Sequence, residues 1–341
     1  MNIIIILLLS IIMMIKSYRR IIDNKYKYNV IKMMTKVADP NIYYINVMEQ
    51  HPKTQELAIK HCNHYNKYSN SVFLPQHTVD AFQEATDFVD NFYKKYNNNN
   101  NDKKLVILDS GCGRGMSTLV LAAKYPNIPI IGIDRSIHRL TKNNPEYLSP
   151  QKFNELQVQL NIDNKIKYNN DNDDNDNDDD YENDEELVDT SQYPNAILIQ
   201  AELATFWMLA ATRSDWIIDY HYLLYPNPYP KSKHLKRRWH GHPVFPALLA
   251  LGGNVIVRSN WPIYCEEFIS AIKAIDNSNA LNGFKCKVNN VHQIPFPNEN
   301  ESMSHFERKY IRVKVPLFEA SAKCGTTDLS QRLLLLKQEQ Q

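Results

Sequence analysis

The chain has only five cysteines, Cys62, Cys112, Cys265, Cys286 and Cys324, with no CxxC pair and no regular interval. Such an odd, scattered set excludes a disulfide framework as the basis of the fold and points to a reducing compartment. Metal ligation also lacks a spacing to rest on. His61-Cys62-Asn63-His64 has ligand-type side chains, but a zinc site needs partners at matching spacing elsewhere, and no metal is expected. Net charge is nearly absent too, at +1 from 39 basic and 38 acidic residues, and taken alone it favours no class of partner.

That balance hides an asymmetry. Twelve acids fall in one run, Asp171 to Asp189, where Asp and Asn alternate with almost nothing apolar to bury. A run of this kind stays solvated and belongs in a surface loop, where it can also mimic a polyanion. Without it, 26 acids face 39 basic residues, an excess of 13. A polyanionic partner then becomes a candidate, beside the plainer reading of a merely basic surface.

Ile3 to Ile15 is strongly apolar but shorter than the roughly 20 residues a spanning helix needs, and no basic residue precedes it. Lys16 to Lys36 is rich in Lys, Arg and Tyr with the single acid Asp23, which fits an organelle presequence, while Met33 and Met34 offer an alternative start. Residues 1–36 are therefore an extension that can target or tether. Without such a signal the expected location is cytoplasm or nucleus.

Residues 37–101 read as a helical region closed by the Asn97 to Asn101 run. From 102 to 320 the pattern changes to alternating strands and helices. Leu105 to Leu108, Ile130 to Ile133, Ala196 to Gln200, Trp216 to Tyr225 and Asn254 to Arg258 read as strands. Met116 to Lys124, a segment from Ile137, Val244 to Leu251 and Ile263 to Ile275 read as helices. An acidic insertion over 163–190 interrupts this βαβ series. Late extended segments near Phe284 to Val291 and Tyr310 to Val315 would complete a mixed sheet, and residues 321–341 form a tail in which Leu333 to Leu336 can dock or fray.

The first strand breaks into Asp109-Ser-Gly111-Cys-Gly113-Arg-Gly115. Open α/β sheets bind ligands where such a loop leaves a strand's carboxyl end, and glycines admit a ligand without a Cβ in the way. Asp109 is placed to accept from a cationic amino-acid moiety, and Asp134, at the end of the second strand, from ribose hydroxyls. The G-x-G-x-G spacing is not that of dinucleotide folds, and it lacks a P-loop lysine. The plainer reading is a tight βα turn with solvent-facing acids.

A second constellation follows the fourth strand. Tyr225-Pro-Asn227-Pro-Tyr229-Pro-Lys231-Ser-Lys-His-Leu-Lys236-Arg237-Arg238-Trp239 joins a proline-bounded turn to a block of cations. Prolines fix the backbone at low entropic cost, the cations can neutralise phosphates, and Tyr229 and Trp239 offer faces to a base. This segment resembles the PDPWxKxxHxKRR signature of the tRNA (guanine-N7) methyltransferase family, and Leu108-Asp-Ser-Gly-Cys-Gly-Arg-Gly115 resembles its cofactor motif. Ser304-His-Phe-Glu307 resembles its T-x-F-E substrate motif.

The resemblance covers about residues 105 to 315 and implies a Rossmann-like, seven-stranded α/β methyltransferase fold, mostly parallel, with helices on both faces. It implies methyl transfer from S-adenosylmethionine to guanine N7 of tRNA. By position, Asp109, Gly111, Gly113, Asp134 and Glu202 would hold the cofactor. Asn227 and Lys231 would stand at the reacting base, Lys231, Ser304 and Glu307 would contact the guanine or its surroundings, Asn260 would belong to the substrate contacts, and Lys236, Arg237 and Arg238 would support the site or tRNA binding. The resemblance leaves room for a non-catalytic protein subunit beside tRNA as partner.

Two positions depart from the pattern, since Asn227 and Asn260 stand where the family has Asp. Guanine N7 is a lone pair that loses no proton, so the reaction needs no general base there. An Asn still hydrogen-bonds a base edge but supplies no carboxylate charge. Two other readings stay open: an amino-directed nucleic-acid methyltransferase using Asn227-Pro228-Tyr229, and an RNA-binding relative without activity.

Overall fold

The computed structural model describes residues 50–96, 103–141, 193–281, 284–295 and 301–325. Residues 1–36, the Asn97 to Asn101 run, the acidic insertion and Leu333 to Leu336 lie outside these. Among the described residues three helices come first: α1 (Thr54–Asn63), α2 (Tyr65–Ser71) and α3 (Gln76–Tyr96). Then β1 (Lys104–Ser110), α4 (Met116–Lys124), β2 (Ile130–Asp134), α5 (Ile137–Thr141), β3 (Ala196–Gln200), α6 (Leu203–Ala211) and β4 (Trp216–Leu224) alternate. After two 3₁₀ turns, Ser232–Arg237 and Trp239–Gly241, come α7 (Phe245–Ala250), β5 (Gly253–Ser259), α8 (Pro262–Ser278), β6 (Cys286–Val288), β7 (His292–Gln293), α9 (His305–Arg312) and β8 (Phe318–Cys324).

The sheet runs β3-β2-β1-β4-β5-β8-β6, with the two-residue β7 added beside β8. All pairings among the first five strands are parallel, and β8 is antiparallel to β5, β6 and β7. This is an open, mostly parallel doubly wound sheet, whose order reverses beside β1, the position where such sheets take ligands. β2 and residues 106–110 of β1 are wholly buried, as strands covered on both faces must be.

Alternate residues show the two layers. Asp109, Tyr222 and Leu224 face α4, whereas Ser110 and His221 face Trp207 of α6. α4 seats closely because Gly132 leaves room on β2: a Cβ there would fall 2.3 Å from the Thr118 Oγ1. On the other face the core-facing stripe of α3 is Ala81, Ala85, Val89 and Phe92, of which the two alanines let it lie close, while Phe82 stacks edge-on to Phe206 at 5.2 Å. The N-terminal helices thus belong to this fold, with Gln55 of α1 bonded to Ser270 of α8.

Two expectations are corrected. Tyr310 to Val315 is the end of α9 and its exit, not a strand, because Ser304 caps a helix that continues through Arg312. The last strand among the described residues is instead Phe318–Cys324, so the boundary drawn between 320 and 321 cuts through β8. Small residues explain why it was missed: Ala320 and Ala322 are its inward positions, and neither has the β-branched or aromatic character that marks a strand. Among the described residues no helix is long and apolar enough to cross a membrane.

Candidate active site at the carboxyl edge of the sheet

The parallel register puts the strand ends together. Asp109 lies opposite Gly132 of β2 and Tyr222 of β4, and Leu224 lies opposite Arg258. Segments 109–115, 134–136, 200–202, 225–230 and 259–261 therefore leave the sheet along one edge.

The loop after β1 turns on three left-handed glycines, Gly111 (φ 82°), Gly113 (φ 60°) and Gly115 (φ 87°). Gly115 is required by packing, since a Cβ would strike Leu198 at 2.5 Å, whereas a Cβ on Gly111 or Gly113 would meet nothing within 4 Å. Open space above two glycines is what a ligand lying on the loop needs. Asp134 fixes that loop: one carboxylate oxygen accepts from the Gly113 amide at 2.9 Å and the other from the Ser136 amide at 2.8 Å. Each oxygen retains a lone pair for a hydroxyl.

Asp109 is 1% exposed. Its Oδ2 accepts from Ser117 Oγ and Thr118 Oγ1, while Oδ1 is buried without a partner. Burial pushes its carboxyl up to about 6, against the lowering pull of the two hydroxyls. A buried, half-satisfied carboxylate beneath an open glycine loop calls for a cationic donor. Cys112 is buried with its thiol held well above the ordinary value, chiefly by burial, which leaves it a packing role in the loop. Glu202, half-exposed after β3, donates its backbone amide to the Thr78 hydroxyl at 3.1 Å, so α3 borders this part of the edge. These residues fit the S-adenosylmethionine that the resemblance implies: a cation acceptor at Asp109, room at Gly111 and Gly113, and hydroxyl acceptors at Asp134.

The turn after β4 is strained and braced. Tyr225 (φ 53°) and Tyr229 (φ 44°) occupy the left-handed region, costly for aromatic residues. Tyr225 is tied to β5 by its amide to the Arg258 carbonyl at 2.8 Å. Asn227 is exposed, and its Oδ1 accepts from the Tyr229 amide at 3.1 Å, an Asx turn that leaves the side-chain NH₂ facing outward as a donor. Lys231, Lys236 and Arg237 are also exposed, with the Arg237 guanidinium 5.7 Å from the Tyr229 ring centroid.

Arg238 is placed differently from its neighbours. At 1% exposure it points inward, donates to the carbonyls of Tyr229 and Pro230, and pairs with the buried Glu267. That makes it a brace of the turn and not a surface cation: of the two roles expected of it, its burial fits support of the site and corrects direct contact with the substrate. Glu267 also accepts from His240 Nε2 at 2.9 Å. Burial opposes the Glu267 charge, but His240, the His51 amide and Arg238 together hold the carboxyl below its ordinary range.

The third motif also has a structural use. Ser304 Oγ accepts from the Glu307 amide at 3.1 Å, and Glu307 Oε2 accepts from the Met303 amide at 2.7 Å, a reciprocal cap of α9. Glu307 is buried, and its other oxygen pairs with Arg258, which also holds Glu319 of β8. Asn260 is 5% exposed, just past β5, with an amide nitrogen that is buried and unpartnered.

The edge therefore gathers Asp109, Gly111, Gly113, Asp134 and Glu202 around β1 to β3, and Asn227, Lys231 and Asn260 around β4 and β5. Ser304 and Glu307 reach it through Arg258. Sequence reading missed Ser117 and Thr118, the buried Glu267 and the bridging Arg258. The spacing Ser-x-x-Glu was a legible cap signal, whereas nothing in the sequence paired Arg238 with Glu267. The ligand-type residues at the end of α1 are otherwise engaged: Cys62 is buried, and His61 and the capping His64 bond the carbonyls of Gly241 and Lys60.

The chain matches no family model and no curated protein. Among solved structures it is similar to an antibiotic-related methyltransferase, at 13% identity and a TM-score of 0.42, over 75% of this chain and 96% of that one. It is also similar to the 16S rRNA (adenine(1408)-N(1))-methyltransferase from Catenulisporales acidiphilia, at 14% identity and a TM-score of 0.39, over 70% and 93%. A third, the 16S rRNA methyltransferase KamB, shows 13% identity and a TM-score of 0.38, over 66% and 90%. Likenesses this distant say nothing about substrate, and the chemistry of the edge is read from its own residues.

Proposed function

We propose that the chain is an S-adenosylmethionine-dependent RNA methyltransferase that modifies guanine N7 in tRNA. The observation that carries the cofactor is the half-satisfied Asp109 carboxylate beneath an open glycine loop at the sheet's switch point. Asp109 would hold the cofactor's amino group, Asp134 its ribose hydroxyls, and Glu202 would lie near its adenine. When bound, the cofactor supplies an electrophilic methyl group on a sulfonium.

The guanine assignment rests on the ordered motifs around Asn227 and Ser304 and on one polarity. With its carbonyl turned to the Tyr229 amide, Asn227 presents a donor, which suits the O6 acceptor of guanine's outer edge and leaves the N7 lone pair free to react. N7 attacks through a lone pair already in place, so the residues around it need only orient the base. An amino-directed enzyme would instead use the Asn227 carbonyl for the exocyclic amine, and that oxygen already spends one of its two lone pairs on the Tyr229 amide. Lys231, Lys236 and Arg237 would neutralise RNA phosphates. Arg238, Ser304 and Glu307 would act as positioning residues, through the turn and through Arg258, and the amide nitrogen of Asn260 is available to a base.

The test is incubation of the purified chain with labelled cofactor and unmodified total RNA, followed by identification of the modified nucleoside. Labelled 7-methylguanosine in tRNA is expected. Label on an adenosine or an exocyclic amine would refute the assignment, and absence of cofactor binding by calorimetry would leave the inactive RNA-binding reading.

A further inference from the structure

The five cysteines are scattered in sequence, yet the fold brings two of them together. Cys286 of β6 and Cys324 of β8 are direct partners across an antiparallel pair, with their sulfur atoms 3.0 Å apart. The neighbouring pair is hydrogen-bonded, Gly325 amide to Lys285 carbonyl at 2.9 Å, so Cys286 and Cys324 occupy a non-hydrogen-bonded position, where facing side chains approach most closely. Cys286 is half-exposed, whereas Cys324 is 2% exposed. The other three, Cys62, Cys112 and Cys265, are buried elsewhere.

We infer that Cys286 and Cys324 form a reversible dithiol–disulfide site, a clasp that closes the segment between β6 and β8. The cysteines are 38 residues apart, and the segment between them carries β7, α9 and the Glu307 that bridges to Arg258. The co-reactant is a small-molecule disulfide such as oxidised glutathione. The Cys286 thiolate, the accessible one, attacks a sulfur of that disulfide, whose S–S bond breaks and releases one thiol. Cys324 then attacks the mixed disulfide at the Cys286 sulfur and releases the second thiol. Two cysteine thiols are oxidised by two electrons, the small disulfide is reduced to two thiols, and the two cysteine protons end on them. Cys324 is buried, and its thiol is held well above the ordinary value by its bond to Cys286 and by burial, so the second step is the slower.

The clasp lies at the end of β8 away from the candidate active site: Cys324 pairs with Gly253 at the start of β5, whereas Phe318 pairs with Ser259 at its end. Oxidation should therefore tighten the fold without blocking the edge where Asp109 and Asn227 lie.

The full chain is treated with oxidised glutathione, denatured, alkylated, digested and analysed by mass spectrometry, with thermal unfolding followed in parallel. The clasp predicts loss of two of the five alkylatable thiols and a linked peptide pair containing Cys286 and Cys324. It also predicts a rise of about 5 °C in Tm that dithiothreitol reverses and that Cys286→Ser, a change at a half-exposed edge position, abolishes. Five thiols remaining, glutathione retained on Cys286, a linkage to another cysteine, or an unmoved Tm in the linked protein would each overturn the proposal.

Discussion

Asp109 is the residue whose environment makes the sharpest demand. Burial raises its carboxyl from 3.8 to about 6. Between those values the folded chain holds more protons than the unfolded one. This contribution to stability is therefore complete below about pH 4 and is lost as pH rises to about 6. Above that the ionised group is a standing cost of roughly 3 kcal/mol, which a bound cation offsets. S-adenosylmethionine affinity should weaken about tenfold per pH unit below pH 6. Asp109→Asn should flatten that profile, weaken binding at neutral pH and stabilise the free chain. Calorimetric titration between pH 5 and 8 checks this, and a flat wild-type profile would remove Asp109 from the cofactor site. Arg238 makes a different demand. Arg238→Met leaves Glu267 buried without its guanidinium partner and should cost about 3–5 kcal/mol in denaturant unfolding, recovered in part by adding Glu267→Gln.

At the scale of elements, the proline turn and α9 separate positioning from contact. Asn227→Ala removes both the bond to the Tyr229 amide and the outward donor. It should lower kcat/KM for RNA about 10- to 100-fold while leaving cofactor affinity unchanged. Ser304→Ala should cost about 1 kcal/mol of stability through lost capping, with little effect on cofactor affinity, as thermal unfolding and calorimetry would show. These elements also show what sequence discloses. Met116–Lys124 and Ala196–Gln200 were legible to the residue, because each is an apolar run bounded by polar or glycine signals. Three of the nine glycines fall within five residues, and that concentration located the cofactor loop. Tyr310 to Val315 misled because its apolar residues alternate, while the cap that makes it helical sits six residues earlier. The inward rotation of Arg238 depends on Glu267, 29 residues on, a contact that no local pattern contains.

For the whole molecule, charge is the property to test. Removing the acidic run leaves a basic excess, and Lys231, Lys236 and Arg237 expose part of it beside the proposed site. RNA affinity should fall steeply with salt, and Lys236→Ala or Arg237→Ala should each reduce the slope of log affinity against log salt by about 1. A filter-binding series that leaves the slope unchanged would place the phosphate contacts elsewhere.

The position of β8 has a consequence for how the chain comes into being. Among the described residues it is the last strand in sequence, yet it lies between β5 and β6. A ribosome that has finished β5 has produced a sheet whose open side waits for residues still to be made, 59 positions after Ser259 at Phe318. During synthesis that unsaturated edge is the part of the protein most in need of shelter, and a chaperone holding β5 until Phe318 emerges would protect it from pairing with a neighbour.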